Sequence, residues 1–161
     1  METTDQTSVF KICPIYNLKE GIRRGKYDEV HSLISKDHCP LPAQPKAKVK
    51  KSLYVALLHF DEFLTAIRIL ERGGKRHCSP GNGAHLLGFV AKYPNEQYTY
   101  PIAVLGSIVK NEHGDDCVLY AYKNLMTGKR ILGLYPLKSG FHNLFRFLVV
   151  DGHDDSVFEL L

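Results

Sequence analysis

The apolar positions of this chain change their spacing near Gly73. Before this residue, apolar side chains such as Val30, Leu33 and Ile34 recur at intervals of three or four, which is the spacing of one helix face. After it, short runs rich in Val, Ile, Tyr, Phe and Leu are separated by Gly and Pro, which is typical of strands joined by turns. The pattern predicts helices in the first half of the chain and a sheet in the second.

The first predicted helical segment spans residues 17–36. Asn17 is followed three residues later by Glu20, which is the signature of a capping box at a helix start. Glycine costs about 1 kcal/mol inside a helix, and the first turns of the segment contain two glycines. The firm part of the helix is therefore expected after Gly25, over residues 26–35.

The second segment, residues 52–72, allows two interpretations. Residues 53–60 could form a strand, followed by a helix that Asp61 caps. Alternatively, the whole segment is one helix that stops at Gly73. We favour the single helix.

Residues 84–161 are predicted to form an antiparallel sheet, because short connections favour antiparallel neighbours and turn-forming residues occur at 111–115 and 126–128. The expected fold class is α+β, with N-terminal helices packed on one face of a five-stranded, mostly antiparallel β-meander. At 161 residues, one globular domain over 1–161 is expected. The five predicted strands are 84–92, 100–110, 117–122, 129–135 and 145–150.

Residues 37–51 show no apolar periodicity and are predicted to be a Pro/Lys-rich linker or exposed loop. The chain carries a net charge of +4, and its positive charges are concentrated in the first half. Such a cluster attracts the phosphates of a nucleic acid or an anionic membrane surface; the alternative is a loop that only increases solubility. The candidate anion-binding residues are Lys46, Lys48, Lys50, Lys51, Arg23, Arg24 and Lys26.

The stretch 77–85 combines a thiol, two imidazoles and several glycines. A cysteine nucleophile needs a neighbouring base or cation, so the catalytic candidates are Cys78 with His85 or His77. A loop between two elements needs Gly and Pro for its geometry alone, and this structural interpretation is favoured. The glycines match neither a dinucleotide fingerprint nor a phosphate-binding loop, so no cofactor is predicted.

A zinc site would require His38 and Cys39 to meet the pair His77 and Cys78 in the fold. Structural zinc usually binds pairs of ligands two to four residues apart, so no metal is predicted. The four cysteines are widely separated and the chain starts with an acidic, polar segment, which favours reduced thiols and a cytoplasmic or nuclear location. No apolar run approaches the roughly 20 residues of a transmembrane helix.

Two further features bear on binding. The apolar residues at 157–161 are expected to dock on the sheet, on a second copy or on a partner. Several tyrosines could offer flat faces on which nucleobases stack, although packing between strands is the favoured interpretation. These are Tyr93, Tyr98, Tyr100, Tyr120, Tyr122 and Tyr135.

The function expected from the sequence is that of a non-enzymatic interaction or assembly protein, comparable to small viral or regulatory proteins. It would act as a homo-oligomer or dock a protein partner, and its basic loop would contact a nucleic acid or an anionic membrane surface. One alternative is a small cysteine-dependent enzyme that uses Cys78. A second alternative is a pocket protein in which helices close a curved sheet over a small ligand.

Overall fold

The computed structural model describes residues 8–45 and 52–151 and shows an α+β arrangement. Four helices and eight strands follow one another along the chain. In order they are β1 (Ser8–Ile12), α1 (Leu18–Gly25), β2 (Glu29–Val30), β3 (Leu53–His59), α2 (Ala66–Lys75), β4 (Cys78–Pro80), α3 (Gly83–Lys92), α4 (Glu96–Thr99), β5 (Ile102–Lys110), β6 (Asp116–Lys123), β7 (Arg130–Pro136) and β8 (Arg146–Asp151).

All eight strands belong to one mixed sheet. Its order is β1-β3-β8-β5-β6-β7-β2, with β4 paired to the end of β8. Neighbours are antiparallel except for β5 with β8 and β2 with β7, which are parallel. β5 meets β8 only at the start of both strands, and farther along β4 and Gly81 lie between them. There the Gly81 N–H donates to the Leu148 carbonyl oxygen at 2.9 Å, and the Gly106 N–H donates to the Gly81 carbonyl oxygen at 2.8 Å.

Each face of the sheet carries a layer of buried apolar side chains. Successive side chains of a strand point to opposite faces, so one strand contributes to both layers. In β3, Val55 and Leu57 pack against α3, which in turn contacts α1; we call this side the α3 face. Ala56 and Leu58 point to the other side, where they pack with α2 and with aromatic residues that precede β8; we call this side the α2 face. The core therefore has two layers, one on each face.

The predicted fold class is wrong in three respects. The sheet has eight strands rather than five, only β5, β6 and β7 follow one another as a meander, and the helices lie on both faces. The physical reason is that strands from the first half of the chain join the sheet. β1 and β3 form one end of it, and β8 returns from the C-terminal side to pair between β3 and β5.

The predicted helix over 52–72 is also wrong, since β3 (Leu53–His59) is a strand and α2 begins only at Ala66. Thr65 caps α2 by accepting a hydrogen bond from the Arg68 N–H. The predicted strand over 84–92 is the helix α3 instead. The centre of each run is buried throughout, over residues 55–58 and 86–90, so neither shows the alternation that separates strand from helix.

In the segment 17–36, the helix occupies the first part rather than the second. Asn17 accepts a hydrogen bond from the Glu20 N–H as predicted, but α1 ends at Gly25, and Lys26 adopts φ 49°. Gly21 belongs to this helix because the helix packs closely on α3: a Cβ on Gly21 would lie 2.6 Å from Leu87 Cδ1, while a Cβ on Gly25 would clash with the Tyr27 ring. Close helix packing thus outweighs the poor helix propensity of glycine.

Four of the five predicted strands are present, as β5 to β8, and the two predicted turns lie where expected. Within the described ranges, no helix has both the length and the apolar character needed to cross a membrane. The apolar residues at 157–161 lie outside the described residues, so their predicted docking stays a prediction.

Candidate functional site

His85 serves to cap α3. Its Nδ1 accepts a hydrogen bond from the Asn82 N–H at 3.0 Å, and the Asn82 side chain accepts from the His85 N–H, which completes a capping box. Burial lowers the pKa of His85 to about 4. The imidazole is therefore neutral at pH 7, and its Nδ1 atom is already engaged in the hydrogen bond that caps the helix.

Cys78 is the first residue of β4, and its side chain lies on the opposite face of the sheet from α3. Its thiol packs with the apolar core of the α2 face and donates to the Arg76 carbonyl oxygen at 3.7 Å. His77 precedes it with φ 59°, at the turn after α2. The structure places Cys78 and the helix of His85 against opposite faces, so it does not bring the predicted thiol and this imidazole into one pocket. The enzyme alternative stays a prediction without a shared site for this pair.

The glycine-containing loop before α3 uses its amides internally. The Gly83 N–H donates to Ser107 Oγ at 2.9 Å, and the Ala84 N–H donates to Asn82 Oδ1 at 2.9 Å. A helix start that binds phosphate needs such amides to be available. This loop therefore acts as a connection between β4 and α3.

The zinc candidates are separated in the same way. His38 Nε2 lies 2.5 Å from the Lys110 carbonyl oxygen, and Cys39 is buried in the core of the α3 face, where burial raises the pKa of its thiol. No set of three or more His, Cys, Asp or Glu side chains in the described ranges is placed to hold a metal ion. All four cysteines lie in these ranges, and none forms a disulfide.

The predicted anion-binding residues are only partly described. Lys46, Lys48, Lys50 and Lys51 lie outside the described residues. Arg23 is bound to Glu20, while Arg24 and Lys26 are exposed at the end of α1. The binding of a nucleic acid or membrane by this cluster stays a prediction.

One concave surface of the described residues is a groove lined by tyrosines. It has a volume of about 410 Å³ and lies on the α2 face, beside β6 and β7. Five of the six tyrosines considered from the sequence line it; Tyr93 instead packs in the core of the α3 face. We call it the tyrosine groove. Its aromatic walls are Tyr98, Tyr100, Tyr120, Tyr122, Tyr135 and Phe145.

The centre of the tyrosine groove is a pair of stacked rings on β6. Tyr120 and Tyr122 point to the same face because they are two residues apart in a strand. Their ring centroids are 4.4 Å apart and their planes differ by 9°. Gly133 pairs with Tyr120 across the ladder, and a Cβ there would lie 3.0 Å from Tyr120 Cε1 and 3.2 Å from Tyr122 Cε1. The missing side chain therefore makes room for both rings over β7.

Other aromatic rings hold this pair in place. Tyr120 contacts Tyr135 edge-on at 5.4 Å between centroids, and Tyr135 contacts Phe145 edge-on at 4.7 Å. Phe145 in turn packs edge-on against the buried Phe141 at 5.0 Å. Such edge-to-face contacts favour defined ring positions. The floor of the tyrosine groove is therefore preorganised.

The electrostatics of the groove are those of neutral hydroxyls and nearby cations. Burial, together with a hydrogen bond to Tyr122, raises the pKa of the Tyr120 hydroxyl, so it stays protonated at physiological pH. The lining contains Lys123 but no Asp or Glu. Lys123 Nζ lies 5.9 Å from the centroid of the Tyr98 ring, and Arg146 Cζ lies 3.6 Å from that of Tyr100. Each of these two positive charges therefore lies beside an aromatic wall of the groove.

A buried polar pair anchors the outer wall that α4 provides. Gln97 is 1% exposed; its Nε2 donates to the Tyr122 carbonyl oxygen at 2.9 Å and its Oε1 accepts from Arg130 Nη2 at 3.1 Å. Arg130 Nη1 also donates to the Lys26 carbonyl oxygen at 3.0 Å. These bonds fix α4 to the ends of β6 and β7, and so position Tyr98.

Sequence reasoning missed Gln97 and Arg130, which lie 33 residues apart and form no motif. The alternation of Tyr120 and Tyr122 was a usable signal for part of the groove, whereas nothing in the chain indicated that α4 would close it. No family model, curated protein sequence or solved structure matches this chain.

Proposed function

We propose that this protein is a non-enzymatic binding protein that holds its ligand in the tyrosine groove. The observation that carries this proposal is the convergence of five tyrosines, from α4, the turn after it, β6 and β7, on one concave surface. Ligand sites are usually preformed concave surfaces of about 300–1,000 Å³ with apolar or aromatic walls and a few polar groups. The volume of about 410 Å³ falls in that range.

The rim of the groove also supports binding. Tyr98 is 41% exposed, Leu144 is 55% exposed and Leu125 is 89% exposed, and all three line the groove. Apolar side chains that gather around a cavity in this way are typical of interaction sites, because a ligand removes them from water. Aromatic walls favour a ligand with flat faces, which can lie parallel to a ring.

This proposal joins the interaction function predicted from the sequence to the second alternative, that of a pocket protein. Self-association, a protein partner, and contact with an anionic surface through the basic loop remain separate predictions. A cytoplasmic or nuclear location likewise stays a prediction.

The experiment compares Tyr122→Leu with Tyr54→Leu in a binding screen. Tyr122 lines the tyrosine groove, whereas Tyr54 is a partly exposed tyrosine on β3, separated from β6 by two strands. The chain has nine tyrosines and no tryptophan, so its intrinsic fluorescence reports on tyrosine surroundings. The probes are a thymidine 12-mer, a proline-rich decapeptide and a maltohexaose.

We expect at least one probe to bind the wild type and to bind Tyr122→Leu more weakly, while Tyr54→Leu binds as the wild type does. Loss of a stacking partner costs about 1–3 kcal/mol of binding free energy. If every probe that binds does so equally well to both variants, the tyrosine groove is not the binding site.

A further inference from the structure

We propose that the ligand of the tyrosine groove is a single-stranded nucleic acid. In this arrangement one nucleobase stacks on the outer face of Tyr122 and an adjacent phosphate lies beside Lys123. The inference rests on the proposed function, and it specifies the ligand class for the same groove.

The first step concerns the stack on β6. One face of Tyr122 is covered by Tyr120 at 4.4 Å, and in the described ranges no other aromatic ring contacts Tyr122. The Tyr122 side chain is half-buried and lines the groove. A planar base placed on the ring face opposite Tyr120 continues the stack of the two tyrosines. Every base has such a face, so the contact tolerates different sequences.

The second step concerns charge. The groove lining contains no carboxylate, and Lys123, which follows Tyr122 in the chain, makes no ion pair with the described residues. A lysine in this position attracts a phosphate. Arg146 adds a second positive charge beside Tyr100, although Asp61 acts on it electrostatically. An uncharged sugar or a proline-rich peptide without acidic residues gains no charge–charge attraction from these cations, so the charge favours a phosphate-bearing ligand.

The third step concerns a polar group next to the stack. Asn124 lines the groove, and its Oδ1 accepts from the Met126 N–H at 2.8 Å and the Thr127 N–H at 3.2 Å. These bonds orient the side chain, so that the Nδ2 amide is the donor that the turn does not use. It can donate to a carbonyl oxygen on the edge of a base.

The strand must be single because paired bases are stacked on both faces and have occupied edges. A base can reach Tyr122 and Asn124 only when it is splayed out of a helix. The phosphates of a duplex could still contact Lys123, but its bases would not stack on Tyr122. The groove therefore predicts a preference for single strands over duplexes.

The test measures fluorescence anisotropy of a fluorescein-labelled thymidine 12-mer, of the uridine 12-mer and of a DNA duplex of equal length. The groove variants are Tyr122→Leu and Lys123→Gln. Their controls are Tyr54→Leu and Lys11→Gln, because Lys11 Nζ lies 5.7 Å from the Tyr54 ring much as Lys123 Nζ lies near Tyr98. Tyr122→Phe keeps the ring, so it retains most of the binding even if the leucine variant does not fold.

We expect Tyr122→Leu to weaken single-strand binding by about 5- to 150-fold, which corresponds to one lost stacked base. Lys123→Gln should reduce the slope of log affinity against log salt concentration by about 0.7 for a single strand, which corresponds to one lost phosphate contact. The two control variants should bind like the wild type, and the duplex should bind at least about tenfold more weakly than the single strands.

Three results would overturn the inference, and they separate it from the proposed function. If the oligonucleotides bind but ignore Tyr122 and Lys123, nucleic acid binds elsewhere. If only the proline-rich peptide or maltohexaose depends on Tyr122, the groove is a binding site and its ligand is not nucleic acid. If no probe depends on Tyr122, both the inference and the proposed function are wrong.

Discussion

Gly133→Ala should disturb the tyrosine groove while leaving the backbone of β7 unstrained. The added Cβ would lie 3.0 and 3.2 Å from the edges of the Tyr120 and Tyr122 rings, so both rings must move by a few tenths of an ångström. Overpacking of this kind costs about 1–3 kcal/mol, and the lower entropy of the unfolded chain returns about 0.4–1 kcal/mol. The expected net loss is about 0–2.6 kcal/mol of the free energy of unfolding, with a central value of about 1.3 kcal/mol.

The assay combines urea unfolding with near-UV circular dichroism, which reports on tyrosine packing in a chain without tryptophan. The matched control is Gly74→Ala in α2, where no atom lies within 4 Å of the new Cβ. This helix position should gain about 0.5–1 kcal/mol of stability from the same chemical change. If Gly133→Ala has wild-type stability and an unchanged near-UV spectrum, the missing side chain at this position does not make room for the rings of Tyr120 and Tyr122.

Two other predictions concern His85 and the basic loop. Burial lowers the pKa of His85 to about 4, whereas the unfolded chain binds the proton near the ordinary value of 6.5, so stability is complete above this value and is lost as pH falls toward 4. The loss of unfolding free energy at pH 5 should be about 2 kcal/mol, measured by urea unfolding. His85→Gln keeps a side-chain acceptor for the cap and should abolish this loss. If the variant keeps the pH dependence of the wild type, His85 is not its cause. Replacing all four lysines of the predicted basic loop by Gln should weaken heparin binding and reduce its salt dependence, with little change in the melting temperature. If the variant binds heparin as tightly as the wild type, these lysines only increase the solubility of the protein. These lysines are Lys46, Lys48, Lys50 and Lys51.

The sequence predicted the later strands well because their surroundings are simple. The strands β5, β6 and β7 are joined by short turns, and Asn111 and Asn124 start those turns by accepting hydrogen bonds from following amides. By contrast, β3 and α3 are both short apolar runs whose central residues, 55–58 and 86–90, are all buried. Periodicity carries no information over these residues, because none of them meets water. Their identities are decided by pairing partners that lie far away in the chain.

The candidate site was predictable only where it follows local rules. Tyr120 and Tyr122 share a face because a strand alternates, and this can be read from the chain, whereas Tyr135 joins them through the pairing of β7 with β6. The outer wall depends on the contact of Gln97 with Arg130, which is set by tertiary structure alone. Cys78 and His85 show the limit of closeness in sequence, since the sheet places the thiol and the helix of this imidazole on different sides, while the structural interpretation of their loop was the favoured one.

The central position of β8 has a consequence for how the chain is made. During synthesis, the segments of β1 and β3 leave the ribosome first and those of β5 to β7 follow, but β8, which joins the two groups, comes after them all. Until then, β3 and β5 each present an edge of unpaired backbone amides and carbonyls, which can pair with other nascent chains. A translational pause or truncation before residue 146 would therefore leave two separate half-sheets, and such products should aggregate or require a chaperone.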